Sequence, residues 1–147
     1  MIQDTNSSLH IMNTDEIEGW FWNSILENYK TRKLCLENLG KVLDDKILKL
    51  YKENNHIIYY LMTTDEDIIG TLSGSLFENK LYIDLAYISV HYRNKGYATF
   101  LYKLFFNVYS EVVSLADRSE YAEHIWNKFK REYKVIENDN GDYHLYS

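Results

Sequence analysis

The sequence predicts a mixed α/β (α+β) fold, a mostly antiparallel central sheet flanked by helices, and three observations predict it. Apolar residues recur at helical spacing from Asn13 to about Asn55 and at strand spacing from Ile57 to Val90. From Gly96 onwards, helical and strand-like blocks alternate. With 147 residues, 46% hydrophobic and 26% charged, the chain has the size and composition of one folded domain, and residues 1–147 read as a single unit. It holds no Pro, so Gly, Asn and Asp set its turns.

The elements follow in order. A short apolar run at residues 9–12 predicts a leading strand. Asn13 then caps a helix, with Glu16 three residues on and Ile17, Trp20, Phe21, Ile25 and Tyr29 at helical spacing. Leu36, Leu39, Leu43, Ile47, Leu50 and Tyr51 predict a second helix ending near Asn54 and Asn55, with Gly40 weakening its interior. Residues 57–62, 68–77 and 81–90, rich in Ile, Tyr and Leu and separated by short polar breaks, predict a three-stranded antiparallel meander. A helix over 96–109, a strand near 112–116 and a helix over 119–133 come next. Strands at 134–137 and 143–146 close the chain around Asn138-Asp139-Asn140-Gly141. The predicted order is β-α-α-β-β-β-α-β-α-β-β.

Composition excludes several functions. A formal net charge of −6, from 16 Lys plus Arg against 22 Asp plus Glu, is wrong for a surface that must neutralise phosphates, so no nucleic-acid partner is expected. No apolar run is long enough to span a bilayer and no export signal opens the chain, which predicts a cytoplasmic protein with no membrane partner. The single cysteine, Cys35, cannot form an internal disulfide and reads as a small buried hydrophobe. His10, His91 and His124 lack metal-ligand spacing, so no metal is expected.

Chemistry concentrates where a predicted strand runs through Ile88, Ser89 and Val90 into the basic turn Arg93-Asn94-Lys95-Gly96-Tyr97-Ala98 that opens a helix. The first N–H groups of a helix lack partners and carry the positive end of its dipole, so such a junction suits phosphate. Gly96 lets backbone approach an anion without a Cβ, Ala98 is similarly small, and Arg93 and Lys95 add charge.

Arg93-x-x-Gly96-x-Ala98 after an apolar strand resembles the pyrophosphate-binding motif of the GNAT acetyltransferase superfamily, and the predicted element order resembles that family's over essentially the whole chain. The resemblance implies a GNAT-like acyl-CoA fold with acetyl-CoA as co-substrate. The N–H groups of Arg93 to Ala98 would meet the CoA pyrophosphate, and Ile88, Ser89 and Val90 would splay from the neighbouring strand to bond the pantetheine arm. The family's Asn-x-x-Ala, with a Tyr four residues on, matches Ser119 and Ala122 but puts Trp126 at the tyrosine. The resemblance therefore places Ser119 among the cofactor-binding residues. An indole cannot protonate a leaving thiolate, which leaves Tyr133, water or an unassisted departure.

Amine acetylation also needs a base. Asp84 is the candidate, because its even separation from Ile88 puts both on one face of a strand and its apolar neighbours Ile83 and Leu85 imply burial that would raise its pKa. Solvent exposure is the equal alternative. Trp20, Phe21 and Trp22 read as core packing or as a wall of the acceptor cleft. The expected activity is transfer of acetyl directly to a primary amine. Protein amines, polyamines, aminoglycosides and amino sugars all remain open as acceptors, and the many tyrosines offer a homodimer surface. A non-catalytic acyl-CoA-binding or protein-interaction module of the same fold is the alternative.

Overall fold

A computed structural model describes residues 14–147. The strand expected at 9–12 and the Asn13 cap lie outside the described residues. The chain divides into two compact units, residues 1–34 and 35–147.

In the first unit α1 (Thr14–Arg32) ends on Lys30 and Arg32, cations that complement the negative end of the helix dipole. Its Trp20 and Phe21 meet edge to face at 5.2 Å and are both exposed, which corrects the core-packing reading of that aromatic pair. Cys35, which opens the second unit, is also exposed and is not the buried hydrophobe expected.

The second unit carries β1 (Glu37–Val42), β2 (Lys46–Glu53), β3 (His56–Met62), β4 (Ile68–Phe77), β5 (Lys80–Ile88), α2 (Tyr97–Val108), β6 (Glu111–Val113), α3 (Glu120–Glu132), β7 (Lys134–Glu137) and β8 (Tyr143–Tyr146). One eight-stranded sheet runs in the order β1-β2-β3-β4-β5-β6-β8-β7. Only β5 and β6 pair parallel; the other neighbours are antiparallel.

The second helix expected over 36–51 is instead the hairpin β1–β2. Leu43 and Asp44, at φ 49° and 72°, turn the chain, and Ile47 to Glu53 then pair along the whole of β3. In strand form Leu48 and Leu50 share the face that joins the core, while Ile47 and Tyr51 take the other. The i, i+3, i+4 spacing of these leucines fits either structure, and the open edge of β3 decides between them. A tertiary partner has overridden a local period. Glu78 and Asn79, both at positive φ, make the two-residue turn that β-hairpins prefer; β4 keeps the limits that its sequence implies, whereas β5 ends at Ile88, two residues short of the expected Val90, where the chain turns away from the sheet.

α2 and α3 pack on one face of the sheet. Ala98, Leu101, Tyr102 and Phe105 of α2 and Ile125, Trp126 and Phe129 of α3 close over Leu72, Leu81, Ile83, Val112 and Leu145. Between the helices the rings meet edge-on: Phe106 and Phe129 at 4.8 Å, Tyr102 and Phe129 at 5.5 Å, Tyr102 and Trp126 at 5.8 Å. Such pairs each add about 0.5–1.5 kcal/mol beyond the area they bury. This aromatic wedge fixes how far apart α2 and α3 stand.

Candidate active site

The site is an opening in the sheet. β6 pairs with β5 only at Leu81 and Tyr82, yet β5 continues to Ile88, so residues 83–88 have no strand along that side. The Ser89 N–H is given to the Ile69 carbonyl on β4. By the alternation of strand hydrogen bonding, the N–H and C=O of Ile88 then face the open side, where the carbonyl accepts Arg93 Nε at 2.9 Å. The opening therefore starts at Ile83, earlier than the sequence implied. Ile88 offers a main-chain donor to it, and the Ser89 N–H is already engaged.

From Ser89 the chain makes a 3-10 turn, Val90–Tyr92, and passes through Arg93 into α2. The Arg93 guanidinium lies 5.2 Å from the Tyr87 ring, folded back on the end of β5 rather than stretched into solvent. It fastens the turn to the strand. Asn94 at φ 63° and Gly96 at φ 84° are both left-handed, and Gly96 is the N-cap of α2 with no side chain capping the helix. The first α2 bond is Phe100 N–H to the Gly96 carbonyl, so the N–H groups of Tyr97, Ala98 and Thr99 have no intrahelical partner. The first turn has no acidic residue, and a Cβ built on Gly96 would meet nothing within 4 Å. Asn94, Lys95 and Gly96 are exposed while Ala98 is buried under the helix. The residues present fit an oxyanion such as a pyrophosphate: unpartnered donors, the positive end of a dipole, an adjacent ammonium and clear space.

Asp84 does not sit as expected. Ser73 pairs with Leu85 and Gly74 with Ile83, so Asp84 is the extra residue of a β-bulge. The bulge resets the alternation and turns Asp84 to the face opposite Ile88 and the helices. There its Oδ2 accepts the Ser75 hydroxyl at 2.7 Å and lies 3.7 Å from His56 Nδ1. The side chain is 38% exposed, so the premise of burial fails along with the shared face. His56, which no sequence signal singled out, is drawn in because it pairs with Ser75 across the sheet.

Ser119 is the N-cap of α3, its hydroxyl accepting the Ala122 N–H at 3.1 Å. Ser119→Ala is expected to lower stability by about 1 kcal/mol, read as a small drop in thermal midpoint. A loss of acyl-CoA affinity in that variant, beyond any loss of stability, would give this serine a ligand contact as well.

Trp126 is 1% exposed, wedged among Tyr102, Phe106, Phe129 and Tyr143. Tyr133, a substitute proton donor on sequence grounds, packs on Phe106 in the last turn of α2 and leads directly into β7. Phe106 lies ~14 Å along the helix from Tyr97, at the wrong end to reach the opening.

Arg118, missed in the sequence, organises the loop after β6. Its side chain is 8% exposed; it donates to Glu123 Oε1, to Ser114 Oγ and to the carbonyls of Leu115 and Gly141, with its guanidinium 3.7 Å from the Tyr143 ring. Tyr143 donates to Glu123 and accepts from Lys130. The Tyr143 hydroxyl and then Arg118 hold the Glu123 carboxyl below its usual pKa. Among the described residues no group of three potential metal ligands occurs, and no helix is long and apolar enough to cross a membrane.

The acetyltransferase (GNAT) family model matches residues 20–137. No curated protein matches the sequence. Among solved structures, YhhK from E. coli, named as an N-acetyl transferase and bound to coenzyme A, aligns with a TM-score of 0.52 at 14% identity, over 66% of this chain and 76% of its own. The PaiA N-acetyltransferase of Thermoplasma acidophilum in complex with coenzyme A gives 0.52 at 16% identity, over 92% and 79%. An Exiguobacterium protein named as an acetyltransferase gives 0.51 at 13%, over 84% and 73%. At these identities the likeness is one of fold. With the family match covering most of its length, the chain belongs to the GNAT acetyltransferase family.

Proposed function

We propose that the protein is an acetyl-CoA-dependent N-acetyltransferase that passes acetyl directly to a primary amine on a small molecule or a protein. We propose further that residues 1–147 act as one catalytic domain, in line with a family match that starts in the first unit and ends in the second. The observation that carries this reading is the opening of the sheet beside β5, continuous with the uncapped start of α2 at Gly96.

Arg93 to Ala98 take the pyrophosphate, with the N–H groups of Tyr97 and Ala98 as donors, Lys95 as the free-standing charge and Arg93 fastening the turn. The N–H of Ile88 bonds the pantetheine arm along the open side of β5, as a strand would. The N–H of Val90 is assigned to the developing oxyanion. Acetyl-CoA supplies the activated acyl group. Asp84 takes the proton of the attacking amine from the face that α2 and α3 leave uncovered, at the bulge just beyond the point where β5 and β6 part. Bulges recur beside active sites because they re-aim a side chain, and this one aims a carboxylate.

Turnover is tested by following thiol release from acetyl-CoA with a panel of polyamines, aminoglycosides, amino sugars and lysine peptides. At least one class is expected to accelerate release, and Asp84→Asn to slow it by about 10²-fold. Binding of acetyl-CoA with no acceleration by any class would favour the non-catalytic module instead.

A further inference from the structure

The two oxygens of the Asp84 carboxylate are held unequally. Oδ2 accepts the Ser75 hydroxyl at 2.7 Å, and His56 Nδ1 stands 3.7 Å from the same atom. Among the described residues nothing engages Oδ1, and the side chains of Ser75 and His56 have no other hydrogen-bond or ion-pair partner.

The sheet brings these three residues together. Glu53, His56, Ser75 and Tyr82 stand directly opposite one another on β2, β3, β4 and β5, so their side chains form one row on the face away from α2 and α3. Two strand spacings, about 10 Å, separate β3 from β5. The side chains of His56 and Asp84 close that distance over Ser75, which is small enough to let them meet and polar enough to bond one of them. Asp84 reaches this row only as the extra residue of the β5 bulge. Glu53, at the far end, is engaged by the Tyr51 hydroxyl at 3.0 Å.

The Asp84 and His56 side chains are 38% and 40% exposed, so water reaches the carboxylate and no protein donor is needed to solvate it. What two donors on a single oxygen do is orient the other one. Orientation has a large effect in a proton transfer coupled to bond formation, where a misplacement of about 1 Å can cost on the order of 10²-fold in rate.

We propose that Ser75 and His56 are positioning residues, which fix Oδ2 so that Oδ1 presents its lone pair to the attacking amine. This rests on the assignment of Asp84 as the base. The amine nitrogen forms the new bond to the acetyl carbon, its proton passes to Oδ1, and the C–S electron pair leaves on the coenzyme A sulfur. Ser75 and the Nδ1–H tautomer of His56 donate to Oδ2 throughout, and neither gives up its proton. At 3.7 Å the imidazole is too far for a hydrogen bond in the free protein, and such contacts tighten when substrate displaces water.

Thiol release from acetyl-CoA is followed with spermidine, kanamycin, glucosamine and a lysine peptide, and the fastest acceptor is carried through a set of full-length variants. Ser75→Ala and His56→Leu are each expected to lower kcat about tenfold, with KM for acetyl-CoA within about twofold of wild type. Ser75→Thr keeps the hydroxyl, and the amide nitrogen of His56→Asn can take the place of Nδ1, so both should recover most of the rate. In an Asp84→Asn background, Ser75→Ala and His56→Leu should cost less than about twofold more, because the base they orient is gone. Contacts that only stiffen the bulge would lower the thermal midpoint and leave kcat unchanged. Wild-type kcat in both Ser75→Ala and His56→Leu, or losses that persist in full beside Asp84→Asn, overturn the positioning role even where Asp84→Asn alone slows turnover. Wild-type kcat in Asp84→Asn overturns the base assignment and the positioning role with it, as does a wild type that none of the four acceptors accelerates.

Discussion

Gly96→Glu is expected to weaken acetyl-CoA binding by at least about 30-fold while leaving the protein folded. A side chain at Gly96 meets no atom within 4 Å, so the variant does not act by a clash inside the protein. Two other effects separate cleanly. The left-handed φ of 84° costs any L-residue ~1–2 kcal/mol, which falls on stability. A carboxylate at the start of α2 faces the anion that the helix should bind, and unit like charges 4 Å apart repel by ~4 kcal/mol near a protein surface. Screening reduces that figure, and half of it still corresponds to about 30-fold. Gly96→Ala carries the backbone strain without the charge, so its affinity should stay within about tenfold of wild type although it melts lower. Isothermal titration of both variants reads the difference. Equal affinity of the glutamate variant and the wild type would move the phosphate site elsewhere.

The largest expected loss of stability comes from Arg118→Ala. This nearly buried guanidinium ties the β6–α3 loop to Glu123 on α3 and to Gly141 in the β7–β8 turn, and covers the Tyr143 ring. Removing one partner of such a network strands the acceptors it served, and breaking buried charge pairs costs about 3–5 kcal/mol. Glu123 is 39% exposed and water can partly replace its partner, which places the effect near the lower end. At ~2–4 °C per kcal/mol for a chain of this size, the thermal midpoint should fall by about 10 °C. Arg118→Lys should recover less than half, because an ammonium cannot serve Glu123, Leu115 and Gly141 from one position. A midpoint within ~3 °C of wild type for the alanine variant would show that the network contributes little.

Much of the fold was legible because its strongest local signals agree with its tertiary partners. β4, β7 and β8 keep the limits implied by their apolar runs, and α2 and α3 differ from their expected ranges by a residue or so at each end. Where the sequence misled, the deciding partner was remote. Leu36 to Tyr51 carry a helical period, and only the edge of β3 makes them a hairpin whose turn includes Leu43, a residue that rarely signals a turn. Asp84 could be placed on a strand but not on a face, since the bulge that turns it away from Ile88 exists only in the pairing with β4. The Gly96 turn was readable because its chemistry is local: one glycine, one cap and three unpartnered N–H groups.

Titration of the purified full-length protein with acetyl-CoA tests the central claim most directly, since the opening of the sheet and the α2 terminus both converge on that ligand. One site is predicted, with a dissociation constant on the order of 1–100 μM, in the range usual for enzyme substrates. A folded protein that takes up no acetyl-CoA at millimolar concentration would contradict the account.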